Sequence, residues 1–143
     1  MILLPDVNVL FILHQPLHPD YRIVNRWFAG KSSDSFATCS ITQAGMIRLL
    51  MQEIGHLDRF SFDEARIALK AFTKRPQHMF WSDAPPFLDA SGSVARRIQG
   101  HRQITDAYLL GLAIRNNAKL ATLDFGIRQL AGSEFASHVE LIH

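Results

Sequence analysis

Three aspartates stand beside apolar stretches of this sequence, in positions where a carboxylate could do chemistry. Asp6 follows the apolar residues 2–4, Asp124 follows the largely apolar residues 120–123, and Asp106 lies near the start of an apolar helical stretch. Carboxylates are almost never fully buried unless they are paired or bind a metal. If the two apolar runs are parallel strands, all three carboxylates meet at one edge of a sheet. Their mutual repulsion then favours a bound divalent cation.

The available ligands indicate Mg²⁺ or Mn²⁺ as that cation. Carboxylate and water oxygens suit hard cations, and the sequence has no Cys/His cluster with zinc spacing. We expect Asn8 and Thr122 to orient ligands or bound water around the acids. Each acid also has a purely structural interpretation: Asp6 could cap the next helix, Asp106 could complement a helix dipole, and Asp124 could shape a turn.

Five short apolar runs predict the strands that would position these residues. They cover residues 2–4, 35–39, 78–81, 119–123 and 139–142. Helical stretches separate them, and this alternation is typical of a parallel sheet covered by helices on both faces. We therefore predict an α/β fold, in which Asp6 and Asp124 lie at the carboxyl ends of two strands. Open α/β sheets form their ligand crevices at that edge.

The helices are predicted from apolar residues at helical spacing and from their capping residues. The clearest one covers residues 105–116, with Thr105 as its N-cap. Another begins at Ser40 or Thr42 and continues up to Gly55, which would stop it. The remaining predicted helices cover residues 7–13, 20–28, 62–72 and 87–99, the last one interrupted at residues 91–93.

The composition describes an ordinary globular domain. The chain has 143 residues, of which 48% are hydrophobic and 20% charged, and this balance excludes a disordered polymer. A net charge of +2 and a sequence pI of about 9.0 give a slight indication of a polyanionic partner. Cys39 is the only cysteine, which excludes an intramolecular disulfide and favours a reducing, cytoplasmic location. Neither a signal peptide nor a membrane-spanning stretch is predicted.

A local basic cluster precedes Asp106 in the sequence. Its members are Arg96, Arg97 and Arg102. Such a cluster is usually a solvated face, but beside a metal site it could hold a phosphate backbone. Binding to a phosphate backbone through these arginines would weaken as the salt concentration rises.

Three segments together resemble the PIN-domain family: Leu4-Pro-Asp6-Val-Asn8, Thr105-Asp106-Ala-Tyr-Leu-Leu-Gly, and Leu120-Ala-Thr-Leu-Asp124. More narrowly, the chain resembles the VapC toxins of bacterial type II toxin–antitoxin pairs. The segment that begins with His18-Pro-Asp-Tyr-Arg and the segment of residues 43–50 fit the same pattern. The resemblance covers essentially the whole chain, in order and at the expected spacing.

The resemblance implies that residues 1–143 form one PIN domain with a three-layer α/β/α fold. It also implies a Mg²⁺- or Mn²⁺-dependent endoribonuclease that cleaves structured cellular RNA, is often a homodimer, and is inhibited by a VapB-type antitoxin. Asp6, Asp106 and Asp124 match the family's metal-binding acids, while Asn8 and Thr122 match its supporting polar positions.

One position departs from the family pattern and keeps a second function open. The family commonly has a further acid in the helix after the second strand, where this chain has Gln43. An amide can coordinate a metal through its carbonyl oxygen but brings no negative charge. The alternative is therefore a catalytically weak PIN-fold protein that binds RNA or an antitoxin. A phosphotransferase of the haloacid-dehalogenase type is disfavoured, because that chemistry needs a second aspartate where Asn8 stands.

An antitoxin would need a surface on which to dock. We expect an exposed apolar groove for an antitoxin helix, with residues 7–13 and 46–54 as the candidates to line it.

Overall fold

Five short strands form one parallel sheet in the computed structural model, which describes residues 1–82 and 85–143. The order across the sheet is β3-β2-β1-β4-β5, and all four neighbouring pairs are parallel. The predicted parallel sheet is thereby confirmed, and the carboxyl ends of β1 and β4 lie side by side at its centre. The strands are β1 (Ile2–Pro5), β2 (Ser35–Thr38), β3 (His78–Phe80), β4 (Lys119–Thr122) and β5 (Val139–Leu141).

Helices connect the strands and cover both faces of the sheet. Three short 3₁₀ helices, Ala95–Arg97, His101–Gln103 and Ala136–His138, complete the described part of the chain. The α-helices are α1 (Val7–Ile12), α2 (Tyr21–Ala29), α3 (Ser40–Leu50), α4 (Phe62–Thr73), α5 (Phe87–Ser91), α6 (Ile104–Arg115) and α7 (Gly126–Ala131). None of the helices among the described residues is long and apolar enough to cross a membrane.

The core has two halves, one on each face of the sheet. Successive side chains of a strand point to opposite faces, so the fully buried Leu3 and Leu4 of β1 enter different clusters. Leu3 packs with side chains of α1 to α4, whereas Leu4 packs with side chains of α5, α6 and α7. These two successive residues of β1 are therefore both apolar, as expected of a strand that is covered on both faces. The fold is the predicted three-layer α/β/α arrangement.

Several helix ends differ from the prediction; at the end of α3, for example, the Leu50 carbonyl accepts the N–H of the loop residue Phe60. Thr105 does not cap α6, which begins at Ile104 with Gln103 in the N-cap position. The third helix ends at Leu50, and Gly55 lies five residues further on, in a loop with a φ of +53°. The break predicted at residues 91–93 is confirmed, since α5 ends at Ser91, but the predicted α-helix does not resume toward residue 99: only the 3₁₀ helix Ala95–Arg97 follows, because Ile98 is extended. The short helix α7 was missed by the sequence prediction.

Gly111 allows α5 and α6 to pack in direct backbone contact. A Cβ atom at this position would lie 1.8 Å from the carbonyl oxygen of Ala90 and 2.6 Å from its carbonyl carbon. These atoms belong to the backbone of α5 and cannot turn aside as a side chain would. The residue therefore sets the spacing between the two helices, and with it the position of α6, which carries Asp106.

Candidate active site

Asp6 lies at the junction of β1 and α1, and both of its carboxylate oxygens accept hydrogen bonds. Oδ1 accepts the backbone N–H of Val9 at 2.9 Å, which makes Asp6 the N-cap of α1. Oδ2 accepts the hydroxyl of Thr122 at 2.5 Å, and only 7% of the residue is exposed. The capping interpretation of Asp6 is confirmed, and its second oxygen is bonded to a residue of β4 rather than to another acid.

Thr122 joins two of the three acids. This fully buried residue ends β4, and its Oγ1 donates to Asp6 while accepting the backbone N–H of Asp124 at 3.0 Å. Asp124 Oδ1 then accepts the backbone N–H of Gly126 at 2.8 Å. Asp124 is therefore also the turn residue of the structural interpretation. The register of β1 and β4, in which Pro5 pairs with Ala121, brings this group together.

Asp106 faces the same place from the first turn of α6. Its carboxylate is half-buried and makes no hydrogen bond or ion pair to any residue within 1–82 or 85–143. Burial, together with the nearby charges of Asp6 and Asp124, raises the pKa of Asp106 to about 6. Burial likewise raises the pKa of Asp6, with a smaller contribution from Asp124, although the hydrogen bonds from Thr122 and Val9 oppose the shift.

The three acids thus meet and repel one another, as the sequence predicted. Asp6 and Asp124 each act on the charge of Asp106, and Asp124 also acts on Asp6. Within the described residues, however, no three His, Cys, Asp or Glu side chains are already arranged as a metal site. The donors still fit Mg²⁺ or Mn²⁺ chemically, because all are carboxylates and that of Asp106 has no hydrogen-bond or ion-pair partner among the described residues. Mg²⁺ commonly completes its ligand shell with water.

A cavity of about 440 Å³ opens beside the acids. Asp6, Asn8 and Asp124 lie in its wall, so the structure places the predicted supporting residue Asn8 next to two of the acids. The loop between α1 and α2 adds two polar residues, His18 and Asp20. The rest of the wall is apolar and consists of Phe11, Ile12, Leu49, Ile54 and Leu123.

The sequence analysis missed His18 and Asp20 as members of this site. They lie within a proline-containing loop, where sequence periodicity carries no information about which way a side chain points. The available signal was the segment His18-Pro-Asp-Tyr-Arg itself, which contributes to the family resemblance. Its histidine and aspartate were not predicted to lie at the site.

Gln43 does not line the cavity that holds Asp6 and Asp124. Its Nε2 donates a hydrogen bond to Thr38 Oγ1 at 3.0 Å, and Thr38 is also bonded to His78 Nε2 at 2.7 Å. Gln43 instead lies in the wall of a second groove, between α3 and α4. The side chain therefore ties α3 to the end of β2.

The predicted basic cluster is partly neutralised by one acid. Arg96 and Arg97 both approach Glu134, with N–O distances of 3.3 and 3.5 Å. Arg102 is exposed and has no ion-pair partner in the described part of the chain. Two of the three arginines thus share one compensating charge, and Arg102 keeps its full charge in solvent. A role for these arginines in RNA binding stays a prediction.

The apolar groove predicted for an antitoxin is found on only one of the two candidate segments. Residues 9–12 of α1 are buried in the core, so residues 7–13 do not present an apolar face to solvent. The segment of residues 46–54 does contribute, through Ile47 and Met51, to a groove of about 700 Å³ between α3 and α4. We call this the α3–α4 groove. It is lined by Ser40, Gln43, Ala44, Ile47, Arg48, Met51, Gln52, Phe62 and Leu69.

Replacement of Thr122 tests the hydrogen bonds between the acids. Thr122→Val removes a buried hydroxyl that bonds both Asp6 and the backbone of Asp124, so we expect a loss of about 1–3 kcal/mol of folding free energy. Thr122→Ser keeps the hydroxyl and is expected to lose clearly less. Urea unfolding of the two variants measures the difference, and equal stability losses would show that the methyl group matters more than the hydroxyl.

The chain is similar in sequence to known proteins of one family. Residues 3–133 match the model of the PIN domain. Two relatives from Mycobacterium tuberculosis cover nearly the whole chain. Ribonuclease VapC39 is 34% identical over 142 residues, which is 99% of this chain and 100% of the relative. Ribonuclease VapC29 is 37% identical over 132 residues, which is 92% of each chain.

A solved structure shares the fold. The crystal structure of VapBC2 from Rickettsia felis bound to a promoter DNA fragment aligns with a TM-score of 0.68 and covers all of both chains, at 15% sequence identity. A parallel sheet with three acids at its carboxyl edge, together with the match over residues 3–133, defines the class: the chain belongs to the PIN-domain family. Its likeness to two VapC relatives along almost their full length places it among the VapC proteins of that family.

Proposed function

We propose that this protein is the toxin of a type II toxin–antitoxin pair, and that it acts as a Mg²⁺- or Mn²⁺-dependent endoribonuclease on structured cellular RNA. A VapB-type antitoxin would neutralise it, and it would work in the cytoplasm as a homodimer. The observation that carries the proposal is the meeting of Asp6, Asp106 and Asp124, three mutually repelling carboxylates from separate elements. The names of the relatives as ribonucleases support the substrate.

The three acids have different tasks in this proposal. Asp6 is fixed in one orientation by Val9 and Thr122, so it would present a preorganised carboxylate to a cation. Asp106 makes no competing hydrogen bond in the described structure and would gain most from a cation, since binding relieves its repulsion. Asp124 is held by its turn, with its N–H on Thr122, and would complete the ligand set.

A divalent ion held by these carboxylates would neutralise charge on the phosphodiester and lower the pKa of a water molecule that attacks it. Asn8 lies at the same cavity and would orient the water or a phosphate oxygen through its amide. The apolar part of the cavity wall would limit the access of other water molecules. Hydrolysis would form a P–O bond to the water oxygen and break one P–O bond of the RNA backbone, and the leaving oxygen would take a proton to become a hydroxyl.

Cleavage of total RNA by purified, antitoxin-free protein tests the proposal. The matched variant is Asp6→Asn, because asparagine keeps the Oδ1 that accepts the Val9 N–H and therefore keeps the cap of α1. We expect discrete fragments with Mg²⁺ or Mn²⁺, none with EDTA, and at least about a hundredfold slower cleavage by the variant. Mapping the fragment ends would identify the target RNA.

Intact RNA in every reaction, with folded protein and metal present, would contradict the nuclease proposal. It would favour the alternative of a PIN-fold protein that binds RNA or an antitoxin without turnover. The placement of Gln43 outside the acid cavity is the observation that keeps this alternative in view. Cleavage that survives both EDTA and Asp6→Asn would instead indicate a contaminating ribonuclease.

The α3–α4 groove is the surface that best fits an antitoxin helix. Its wall is mostly apolar, and Met51 and Phe62 are 36% and 57% exposed. An amphipathic helix binds such a groove through its apolar face. It would cover a surface that otherwise leaves apolar side chains in water.

Met51→Asp tests this surface, because a carboxylate in the groove would have to be desolvated under the helix. We expect the affinity of the protein for its antitoxin, measured by titration calorimetry, to fall at least about tenfold. Ile67→Asp is the control, since Ile67 is 54% exposed on α4 but does not line the groove. Equal effects of the two substitutions would place the antitoxin elsewhere.

A further inference from the structure

His18 lies in the wall of the cavity that contains Asp6, Asn8 and Asp124. The family resemblance assigns no task to this histidine, and the mechanism proposed above does not use it. The loop between α1 and α2 brings it there, across the cavity wall from the sheet edge. The residue is half-buried, so part of it remains accessible.

The hydrogen bond on one ring nitrogen determines what the other nitrogen can do. His18 Nδ1 accepts the backbone N–H of Asp20 at 3.0 Å. An imidazole nitrogen that accepts a hydrogen bond carries no proton, so the proton of the neutral ring is on Nε2. Nε2 is therefore a hydrogen-bond donor, and it has no partner among the described residues.

The ring is held in place by its surroundings. Phe11 contacts it edge to face, with 6.2 Å between the ring centroids and an interplanar angle of 88°. The backbone of His18 is fixed at both ends, because its N–H donates to Gln15 O at 2.9 Å and its carbonyl accepts the Tyr21 N–H at 3.0 Å. A group held in this way loses little conformational entropy when it binds a ligand.

The remaining side chains of the cavity leave few donors for an anionic ligand. Asp6, Asp20 and Asp124 are acceptors when ionised, and the apolar residues of the wall offer no polar atoms. Of the residues in this wall, only His18 and Asn8 have side chains that can donate a hydrogen bond. Phosphate oxygens accept hydrogen bonds and would be repelled by the carboxylates alone.

We propose that His18 Nε2–H donates a hydrogen bond to a phosphate oxygen of the RNA backbone and so fixes the substrate beside Asp6 and Asp124. This inference rests on the proposed nuclease function, because it assigns the way in which the same site holds its substrate. The contact is made by a neutral donor, and no proton is transferred. It would contribute to binding in the ground state as well as in the transition state, and therefore mainly to KM.

Two substitutions separate the two ring nitrogens of His18. His18→Asn places Oδ1 where Nδ1 stands, which keeps an acceptor for the Asp20 N–H but removes the donor at the ε position. His18→Gln places a donor at the ε position but removes the acceptor near the backbone of Asp20. If the ring only stabilises the loop, His18→Asn should impair RNA binding and cleavage less than His18→Gln does. If the ring binds RNA, His18→Gln should impair them less.

The experiment measures cleavage of a labelled oligoribonucleotide that contains the site mapped from total RNA. We expect His18→Asn to raise KM roughly tenfold, with kcat within about threefold of the wild type. His18→Gln should keep KM within about threefold. Anisotropy titrations with the same oligoribonucleotide in EDTA give a binding readout without turnover and should rank the variants in the same order. Thermal unfolding should rank them in the opposite order.

His143→Asn serves as a control, since His143 is exposed and does not line the cavity. An unchanged KM and RNA affinity in His18→Asn would overturn the inference, and so would a KM defect in His18→Gln as large as that in His18→Asn. Failure of the wild type to cleave any RNA would overturn the proposed function instead. The two failures are distinguishable, because only the second affects the wild-type protein.

Discussion

Asp106→Asn is expected to abolish RNA cleavage and, at the same time, to stabilise the metal-free protein. The carboxylate of Asp106 is partly buried beside Asp6 and Asp124, and no group among the described residues compensates its charge. Asparagine has nearly the same shape without the charge, so it removes the repulsion together with a ligand for the cation. Opposite effects on activity and stability are typical of residues that a site holds in an unfavourable environment for the sake of function.

The stabilisation should depend on pH in a defined way. Burial and the two neighbouring acids raise the pKa of Asp106 from 3.8 to about 6. A raised pKa means that the folded state disfavours the ionised carboxyl. The destabilisation is therefore absent below pH 3.8, increases as the pH rises toward 6, and is fully present above 6. Because part of the carboxyl is exposed to solvent, we expect a gain of only about 1 kcal/mol from Asp106→Asn at pH 7.5.

Urea unfolding in EDTA at pH 4 and pH 7.5 measures this difference. Asp106→Asn and the wild type should be nearly equal at the lower pH and differ at the higher one. Asp58→Asn is a suitable control, because Asp58 is an exposed acid outside the cavity. Mg²⁺ should stabilise the wild type more than Asp106→Asn, since a ligand stabilises the state that binds it. A variant that is less stable than the wild type at pH 7.5 would contradict the proposed repulsion.

Gly111→Ala is expected to be among the most destabilising single substitutions in the chain. The added Cβ would lie 1.8 Å from the carbonyl oxygen of Ala90, a distance that forces α5 and α6 apart. Overpacking of this kind typically costs about 1–3 kcal/mol, and a backbone obstacle places this case at the upper end. The intrinsic helix preference of alanine would offset about 1 kcal/mol at most.

The same substitution should lower RNA cleavage, although Gly111 does not line the acid cavity. It lies five residues after Asp106 on α6, so a displaced helix moves that carboxylate relative to Asp6. Thermal unfolding and cleavage of Gly111→Ala should be compared with those of Gly100→Ala. A Cβ at Gly100 meets no atom within 4 Å, and we expect that control to stay within about 0.5 kcal/mol of the wild type. Equal stability of the two variants would refute the contact.

The sequence by itself determined the sheet and the place of the acids. The five apolar runs each had the length and the flanking residues of a buried strand, and all five were confirmed. Asp6 and Asp124 followed two of these runs, so parallel pairing alone was enough to bring them to one edge. Local signals fixed these features, because the burial of an apolar strand, and with it the position of a carboxylate directly after the strand, depends little on the rest of the chain.

The tertiary structure alone decided which partners, distant in the sequence, the acids have. That the Thr122 hydroxyl donates to Asp6, 116 residues away in the sequence, depends on the register between β1 and β4. The positions of His18 at the cavity and of Gln43 outside it depend on how a loop and a helix pack, as does the contact of Gly111 with Ala90. Sequence spacing carries no record of such contacts, since they arise between segments that meet only when the whole core is packed.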